Sequence, residues 1–153
     1  MHVVLVEPEI PANTGNIART CAATGTILHL VRPLGFSTDD RHLKRAGLDY
    51  WYLVEIHYHD SFEEVRRMYP RNRFYFLTTR GIRFYNEVKY GPDDFLVFGK
   101  ETRGLPADLI SANREFTLRI PMREGSTRSL NLANSVALVL YEALRQQGFP
   151  GLR

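Results

Sequence analysis

The hydrophobic and polar positions of this chain form a repeating order of strands and helices. Short apolar runs rich in β-branched and aromatic residues are typical of buried strands. Six such runs occur, at residues 2–7, 27–31, 51–57, 73–78, 94–98 and 116–120. Capped or amphipathic segments between them predict helices at 13–25, 40–46, 61–68, 105–111 and 130–147. This alternation predicts an α/β fold with a mostly parallel sheet and helices on both faces.

Two stretches are predicted to lack regular structure. Residues 7–12 contain two prolines and are therefore not expected to be helical. Residues 80–92, a mixture of aromatic and charged side chains, are predicted to form a loop.

The predicted last strand and last helix are joined by a polar loop, residues 123–129. The helix carries its apolar residues at close to helical spacing, at Leu132, Val136, Val139, Leu140, Ala143 and Leu144. Backbone N–H groups and side-chain amides at such a helix start point outward and can bind a ligand. Taken alone, the same pattern is more typical of an ordinary strand and a capped helix.

Polar or glycine-rich loops follow three of the predicted strands, at residues 77–81, 99–106 and 121–131. Gly99 and Gly104 permit a tight backbone path and the close approach of a flat ligand, and Glu101 could accept hydrogen bonds. Taken singly, each glycine is more typical of a turn, and Glu101 of a solvated charge. Three such loops at adjacent strand ends predict a pocket, because ligands bind beyond the carboxyl ends of parallel strands.

Length and composition predict one domain, residues 1–153, of a cytoplasmic protein. The 153 residues are 44% hydrophobic and 24% charged, without an apolar run of membrane-spanning length. The N-terminus lacks the features of a signal peptide, and the single cysteine excludes a disulfide framework within the chain. Of 20 basic residues 17 are arginine, which suits phosphate binding, although a genome-wide or thermal bias toward arginine would explain it equally well.

Several familiar site motifs are absent. The sequence contains no Gly-x-Gly-x-x-Gly after its first strand, no Walker-type loop and no Gly-x-Ser-x-Gly elbow. His57 and His59 are interpreted as surface histidines, because no cysteine or close carboxylate pair completes a metal site. No metal is therefore expected.

Three motifs occur in order along the chain: Asn13-x-Gly15-Asn16-Ile17-x-Arg19, Phe98-Gly99-x-Glu101-x-x-Gly104-Leu105, and Ile120-Pro121-Met122 followed by Ser129-Leu130-Asn131-Leu132-Ala133-Asn134. As a set they resemble the motifs of the SPOUT-class RNA 2′-O-methyltransferases, and the similarity covers essentially the whole chain. Residues 7–11 and 45–50 resemble the small, extension-free branch of that class, which methylates the wobble ribose of certain tRNAs.

The resemblance implies an α/β trefoil-knot (SPOUT) fold in which the C-terminal helix passes through a loop, a feature that general topology rules would not predict. It also implies S-adenosyl-L-methionine as the cofactor, and a homodimer in which the partner chain completes each site. Carried over by position, the cofactor-binding residues would be Leu77, Thr78, Gly99, Glu101, Ile120, Met122, Ser129, Leu130 and Asn134.

The resemblance further implies that Arg19 and Asn131 are catalytic. The matching arginine of the family is implicated in activating the ribose 2′-hydroxyl, a poor nucleophile, with help from a substrate phosphate. Since a guanidinium stays protonated, orienting the phosphate and stabilising the developing alkoxide is its safer role, and Asn131 would position the loop or the hydroxyl. The RNA-binding residues would be Asn13, Asn16, Arg41, Lys44, Arg45, Tyr50 and Arg128, with Arg80 as a further candidate.

The predicted substrate is the wobble nucleotide of tRNA, a cytidine or modified uridine at position 34, with leucine tRNAs expected; no DNA or membrane partner is expected. Two alternatives stay open: a ribose methyltransferase of the same class acting on another tRNA or rRNA position, and a catalytically silent RNA-binding protein of this fold. The chain departs from the wobble-enzyme pattern in a loop, residues 123–128, that is about one residue longer, and in Lys100 where a proline is familiar.

Overall fold

The computed structural model describes residues 1–37, 41, 45 and 48–153. Its centre is a seven-stranded sheet with the order β3-β2-β1-β6-β4-β7-β5, in which all the strand pairs are parallel. The strands are β1 His2–Val6, β2 Ile27–Val31, β3 Ile56–His59, β4 Phe74–Leu77, β5 Arg83–Phe84, β6 Phe95–Phe98 and β7 Thr117–Arg119. The predicted parallel sheet is confirmed.

Helices cover both faces of this sheet, as predicted. The described α-helices are α1 Pro11–Thr24, α2 Phe62–Met68, α3 Ala107–Ala112 and α4 Leu132–Gln146. Side chains of β1 alternate between the faces, so that Val3 and Leu5 pack on the side of α1 and α4, whereas Val4 and Val6 pack on the side of α2 and α3. The amphipathic pattern of the last helix is also confirmed, because it buries Val136, Val139, Leu140, Ala143 and Leu144.

The predicted third strand, residues 51–57, is wrong. Residues Leu48–Leu53 form a 3₁₀-helix, and the strand begins only at Ile56. Trp51 and Val54 pack against the core on the α1 side, whereas Tyr52 is 80% exposed. The aromatic residues favoured a strand locally, and packing against the core overrides that preference.

The predictions for residues 80–92 and for the start of the first helix need correction. The stretch 80–92 contains a short edge strand, β5, that pairs with β7. Helix α1 begins at Pro11 rather than at residue 13, so residues 11 and 12, which were predicted to be non-helical, belong to it. Proline fits the first turn, where its missing N–H has no helical partner. Of the predicted helix 40–46, Arg41 and Arg45 are helical and exposed, and the other positions, including Lys44, lie outside the described residues.

The prediction that His59 is a surface histidine is also wrong, because it is 1% exposed. Its Nε2 lies 2.9 Å from His29 Nδ1, and His29 Nε2 lies 3.0 Å from His2 Nδ1. These residues sit on the three neighbouring strands β1, β2 and β3. They form one buried chain of imidazoles, which we call the histidine chain.

Candidate active site

The main cavity, of about 1080 Å³, lies where β6, β4 and β7 end. Strand β4 lies between β6 and β7 in the sheet and pairs with both in parallel, so the three loops that follow these strands meet at one edge. The pocket predicted from these loops is confirmed. Of the predicted cofactor-binding residues, eight line the cavity: Leu77, Thr78, Gly99, Glu101, Ile120, Met122, Ser129 and Leu130.

The loop after β6 folds back tightly on itself. A Cβ added at Gly99 would lie 2.0 Å from the carbonyl carbon of Gly104 and 2.2 Å from the nitrogen of Leu105. The Gly104 N–H donates to the Lys100 carbonyl at 2.9 Å, and Gly104 itself has a φ of 67°. Both glycines therefore set the shape of the cavity wall through backbone geometry, and at Gly99 the space is filled by the protein's own backbone.

Glu101 is not a solvated loop charge. Its Oε2 accepts hydrogen bonds from the backbone N–H groups of Glu9 (2.8 Å) and Ile10 (3.1 Å), just before α1. Its Oε1 is buried and has no hydrogen-bond partner among the described residues. The side chain thus connects the cavity wall to the start of α1 and leaves one buried acceptor available at the site.

Asn131 is both a cavity residue and a helix cap. It precedes α4, and its Oδ1 accepts from the Asn134 backbone N–H at 3.2 Å. Its Nδ2 donates to Asn13 Oδ1 at 3.1 Å, 118 residues away in the chain. Asn131, predicted to be catalytic, is therefore also the N-cap of α4. Asn134 is exposed, and its neighbour Ser135 lines the cavity in its place.

Helix α1 presents the first motif on successive turns. Asn13 is buried and lines the cavity, whereas Asn16 and Arg19 are exposed, and Arg19 is not part of the cavity lining. The Arg19 guanidinium carbon lies 4.7 Å from the centroid of the Tyr50 ring, a cation–π contact. The structure thereby brings together a predicted catalytic residue and a predicted RNA contact.

The lining of the cavity is rich in arginine. Arg80 and Arg128, both predicted RNA contacts, line it together with Arg103, which the sequence reasoning did not single out although it lies inside the second motif. None of the three takes part in the ion pairs that the described residues form. These cationic groups are therefore available to an anionic ligand.

Two further observations concern the described part of the chain. No cluster of three or more histidine, cysteine or acidic side chains with a metal-binding arrangement is found there. In the same residues, each helix is too short or too polar to cross a membrane.

The chain is similar in sequence to proteins of a known family. A profile of the SpoU rRNA methylase family matches residues 1–141. A Bacillus subtilis protein is 58% identical over 156 residues, covering 100% of this chain and 97% of its own. The tRNA (cytidine(34)-2′-O)-methyltransferase of Yersinia pestis is 48% identical over 158 residues, covering 99% of this chain and 96% of its own.

Solved structures agree with the sequence comparison. One, described as giving insights into the 2-OH methylation of C/U34 on tRNA, is 48% identical with a TM-score of 0.91 and covers 96% of this chain and 95% of its own. The AdoMet-bound rRNA methyltransferase of Sinorhizobium meliloti is 26% identical with a TM-score of 0.82, covering 94% of this chain and 55% of its own. The predicted α/β trefoil-knot (SPOUT) fold is confirmed, and the chain belongs to the SpoU methylase family of RNA methyltransferases.

Proposed function

We propose that this protein is an S-adenosyl-L-methionine-dependent tRNA 2′-O-methyltransferase that acts in the cytoplasm. Its proposed target is the ribose of the wobble nucleotide, a cytidine or modified uridine at position 34. Leucine tRNAs are the expected substrates. The observation that carries the proposal is the cavity in which the second and third motifs meet beside the arginine-rich lining. The wobble position rests on the relative at 48% identity over nearly the whole chain that carries this activity in its name.

The residues of the cavity fit S-adenosylmethionine. Its volume, about 1080 Å³, is slightly larger than the range of small-molecule sites, roughly 300–1,000 Å³, so it has room for a cofactor and a substrate nucleotide. Leu77, Ile120, Met122 and Leu130 offer apolar surface for a flat ring, and the unpartnered Glu101 Oε1 offers an acceptor for a hydroxyl or amine. When bound, S-adenosylmethionine supplies an electrophilic methyl group.

In this proposal Arg19 orients the substrate. A guanidinium offers five N–H donors in a planar fork, so Arg19 holds a substrate phosphate and stabilises the alkoxide that develops as the 2′-hydroxyl loses its proton. The Tyr50 ring beside it limits the positions that the side chain can take. Asn131 orients the loop before α4 through its hydrogen bond to Asn13.

The arginines of the cavity lining bind the RNA backbone in this proposal. Arg80, Arg103 and Arg128 are cationic groups next to the cavity that have no protein carboxylate as a partner among the described ion pairs. Phosphate contacts of this kind position a nucleic acid without reading its bases.

The proposal includes a homodimer. Helix α4 carries Leu138 and Tyr141, which are 37% and 43% exposed, one turn apart on the side opposite its buried residues. Large apolar side chains grouped on the free face of a helix are typical of a protein interface. In this proposal a second copy of the chain covers this face and completes each site.

Two measurements test the function. Purified protein is incubated with S-adenosylmethionine and tRNA, and the nucleosides are analysed by mass spectrometry; a 2′-O-methylated nucleoside at position 34 is the expected product. Transfer RNA from a deletion strain should lack the same nucleoside. An unchanged profile together with methylation at another tRNA position or in rRNA would replace the wobble assignment, and no transfer to any RNA would reject the enzyme.

A further inference from the structure

Two loops at the cavity edge exchange hydrogen bonds in both directions. The Glu9 carboxylate Oε1 accepts from the Thr102 backbone N–H (3.1 Å) and from the Thr102 hydroxyl (2.6 Å). The Glu101 carboxylate accepts in return from the N–H groups of Glu9 and Ile10. We call this arrangement of Glu9, Ile10, Glu101 and Thr102 the loop clasp.

The loop clasp holds the start of α1. Ile10 is the N-cap residue of this helix and provides no side-chain cap, and the first turn contains no acidic residue. Glu101, from a segment 91 residues away, places its negative charge at this end, where the helix dipole favours it. An ion pair between Lys100 and Glu7, 3.7 Å apart, joins the same two loops.

The second attachment of the α1 start also comes from the cavity. Asn13, in the first turn, accepts from Asn131 in the loop before α4. Cavity walls on two sides therefore hold the beginning of the helix that carries Arg19. Because a helix moves as a rigid rod over a few turns, the position of Arg19 depends on these contacts.

We propose that Glu9 and Thr102 are positioning residues for methyl transfer, and that the loop clasp sets α1, and with it Arg19, relative to the cofactor wall. This inference rests on the proposed function. Glu9 is not part of the cavity lining, whereas Thr102 is. Glu9 thus acts on the reaction through the loop clasp. A loss of activity on replacing Glu9 therefore reports on the clasp and not on a direct contact with the ligand.

The kinetic test is a double-mutant cycle of Glu9→Ala and Thr102→Val, with Thr102→Ser as the conservative control that keeps the hydroxyl. Glu9→Ala removes both hydrogen bonds between Glu9 and Thr102, whereas Thr102→Val removes only that of the hydroxyl and keeps that of the backbone N–H. Glu9→Ala should lower kcat on tRNA about fivefold and Thr102→Val by a smaller factor, with the KM for S-adenosylmethionine within about twofold. The double variant should be no slower than Glu9→Ala, because that change already removes the contact that Thr102→Val weakens. Thr102→Ser should retain wild-type kcat.

A second readout does not depend on activity. Amide hydrogen exchange of the protein alone should accelerate at residues 9–14 in Thr102→Val, and should stay unchanged at residues 132–140. Unchanged exchange at 9–14 would overturn the anchoring of α1.

Other outcomes overturn the positioning role. Additive losses in the double variant would mean that Thr102 acts directly on the ligand, and wild-type kcat in both single variants would remove the role altogether. If the wild-type protein transfers no methyl group to any RNA, the proposed function fails, and hydrogen exchange alone decides whether the clasp holds α1.

Discussion

At the scale of single residues, long-range hydrogen bonds give the motif side chains their roles. Glu101 and Asn131 lie far apart in the sequence from Glu9 and Asn13, their partners at the start of α1. Arg19, in contrast, contacts the ring of Tyr50 and remains exposed. Glu101 and Asn131 are thus held by hydrogen bonds to the start of α1, whereas Arg19 is exposed beside an aromatic ring.

Replacing Arg19 tests its role directly. Arg19→Ala should keep the fold and the affinity for S-adenosylmethionine, because the side chain is exposed and outside the cavity lining. Methyl transfer to tRNA should fall by about 10²-fold or more, the usual effect of removing a group that stabilises developing charge. Single-turnover assays and calorimetric cofactor titration measure the two quantities.

The control for Arg19→Ala is Arg71→Ala, which removes an exposed arginine far along the chain from the motifs. It should retain full turnover. Wild-type-like turnover of Arg19→Ala would contradict the catalytic assignment.

The histidine chain predicts that acid destabilises the fold. Burial lowers the pKa of His2 to about 4 and that of His29 to about 3, and burial also lowers the pKa of His59, against the nearby Glu64 carboxylate, which raises it. The unfolded chain binds these protons near pH 6.5, so the stabilisation is complete above pH 6.5 and is lost as the pH falls below it. The loss should be about 1.4 kcal/mol per pH unit for each histidine that stays neutral in the folded state.

Urea denaturation at pH 7.5, 6.5, 5.5 and 5.0 measures this slope. His29→Gln, which removes the central imidazole of the histidine chain, should show a shallower dependence on pH in the same range. A free energy of unfolding that stays constant from pH 7.5 to 5.0 would show that the three histidines do not resist protonation.

At the scale of elements, the loop after β6 is folded tightly by close backbone contacts. The tight turn from Gly99 to Leu105 brings two backbone segments within a distance that leaves no room for a Cβ. This loop also carries Glu101 and Thr102. Its shape therefore determines both the cavity wall and the loop clasp.

Gly99→Ala should move this loop, because its Cβ would lie 2.0 Å from the Gly104 carbonyl carbon. We expect a destabilisation of about 1–3 kcal/mol and at least tenfold weaker binding of S-adenosylmethionine, measured by thermal denaturation and by calorimetry. The matched control is Gly91→Ala, whose Cβ would make only ordinary contacts, the nearest at 3.7 Å to Arg73. Equal cofactor affinity in the two variants would refute this account of the cavity wall.

At the scale of the whole molecule, the free face of α4 is the proposed dimer interface. Leu138→Glu places a charge on this face and should shift the protein to monomers in sedimentation-velocity experiments, because burying an unpaired carboxylate is unfavourable. If the partner completes each site, the rate of methyl transfer should fall together with the fraction of dimer. Met68→Glu on α2 is the control, since Met68 is 54% exposed on another helix. A wild-type protein that sediments as a monomer at assay concentrations would exclude the dimer.

Much of this protein follows from local sequence. The alternation of β1 and the apolar stripe of α4 specify which side chains are buried, because strand and helix periods act over a few residues. Gly25 ends α1 in the left-handed region with a φ of 68°, as glycine allows. For the same reason, local patterns predicted the order of strands and helices and the residues of the three loops. The resemblance of short motifs to a known family added the class of fold.

Only the tertiary structure decided which of these pieces meet. Strand order β6-β4-β7 places three sequence-distant loops around one cavity, and β1, β2 and β3 align His2, His29 and His59 into a buried chain. Packing of Trp51 and Val54 against the core places residues 51–53 in a 3₁₀-helix, although local propensity favoured a strand there. Short-range patterns determine backbone conformation and burial, whereas pairing between distant segments depends on the topology of the whole chain, and in this protein that pairing builds the site.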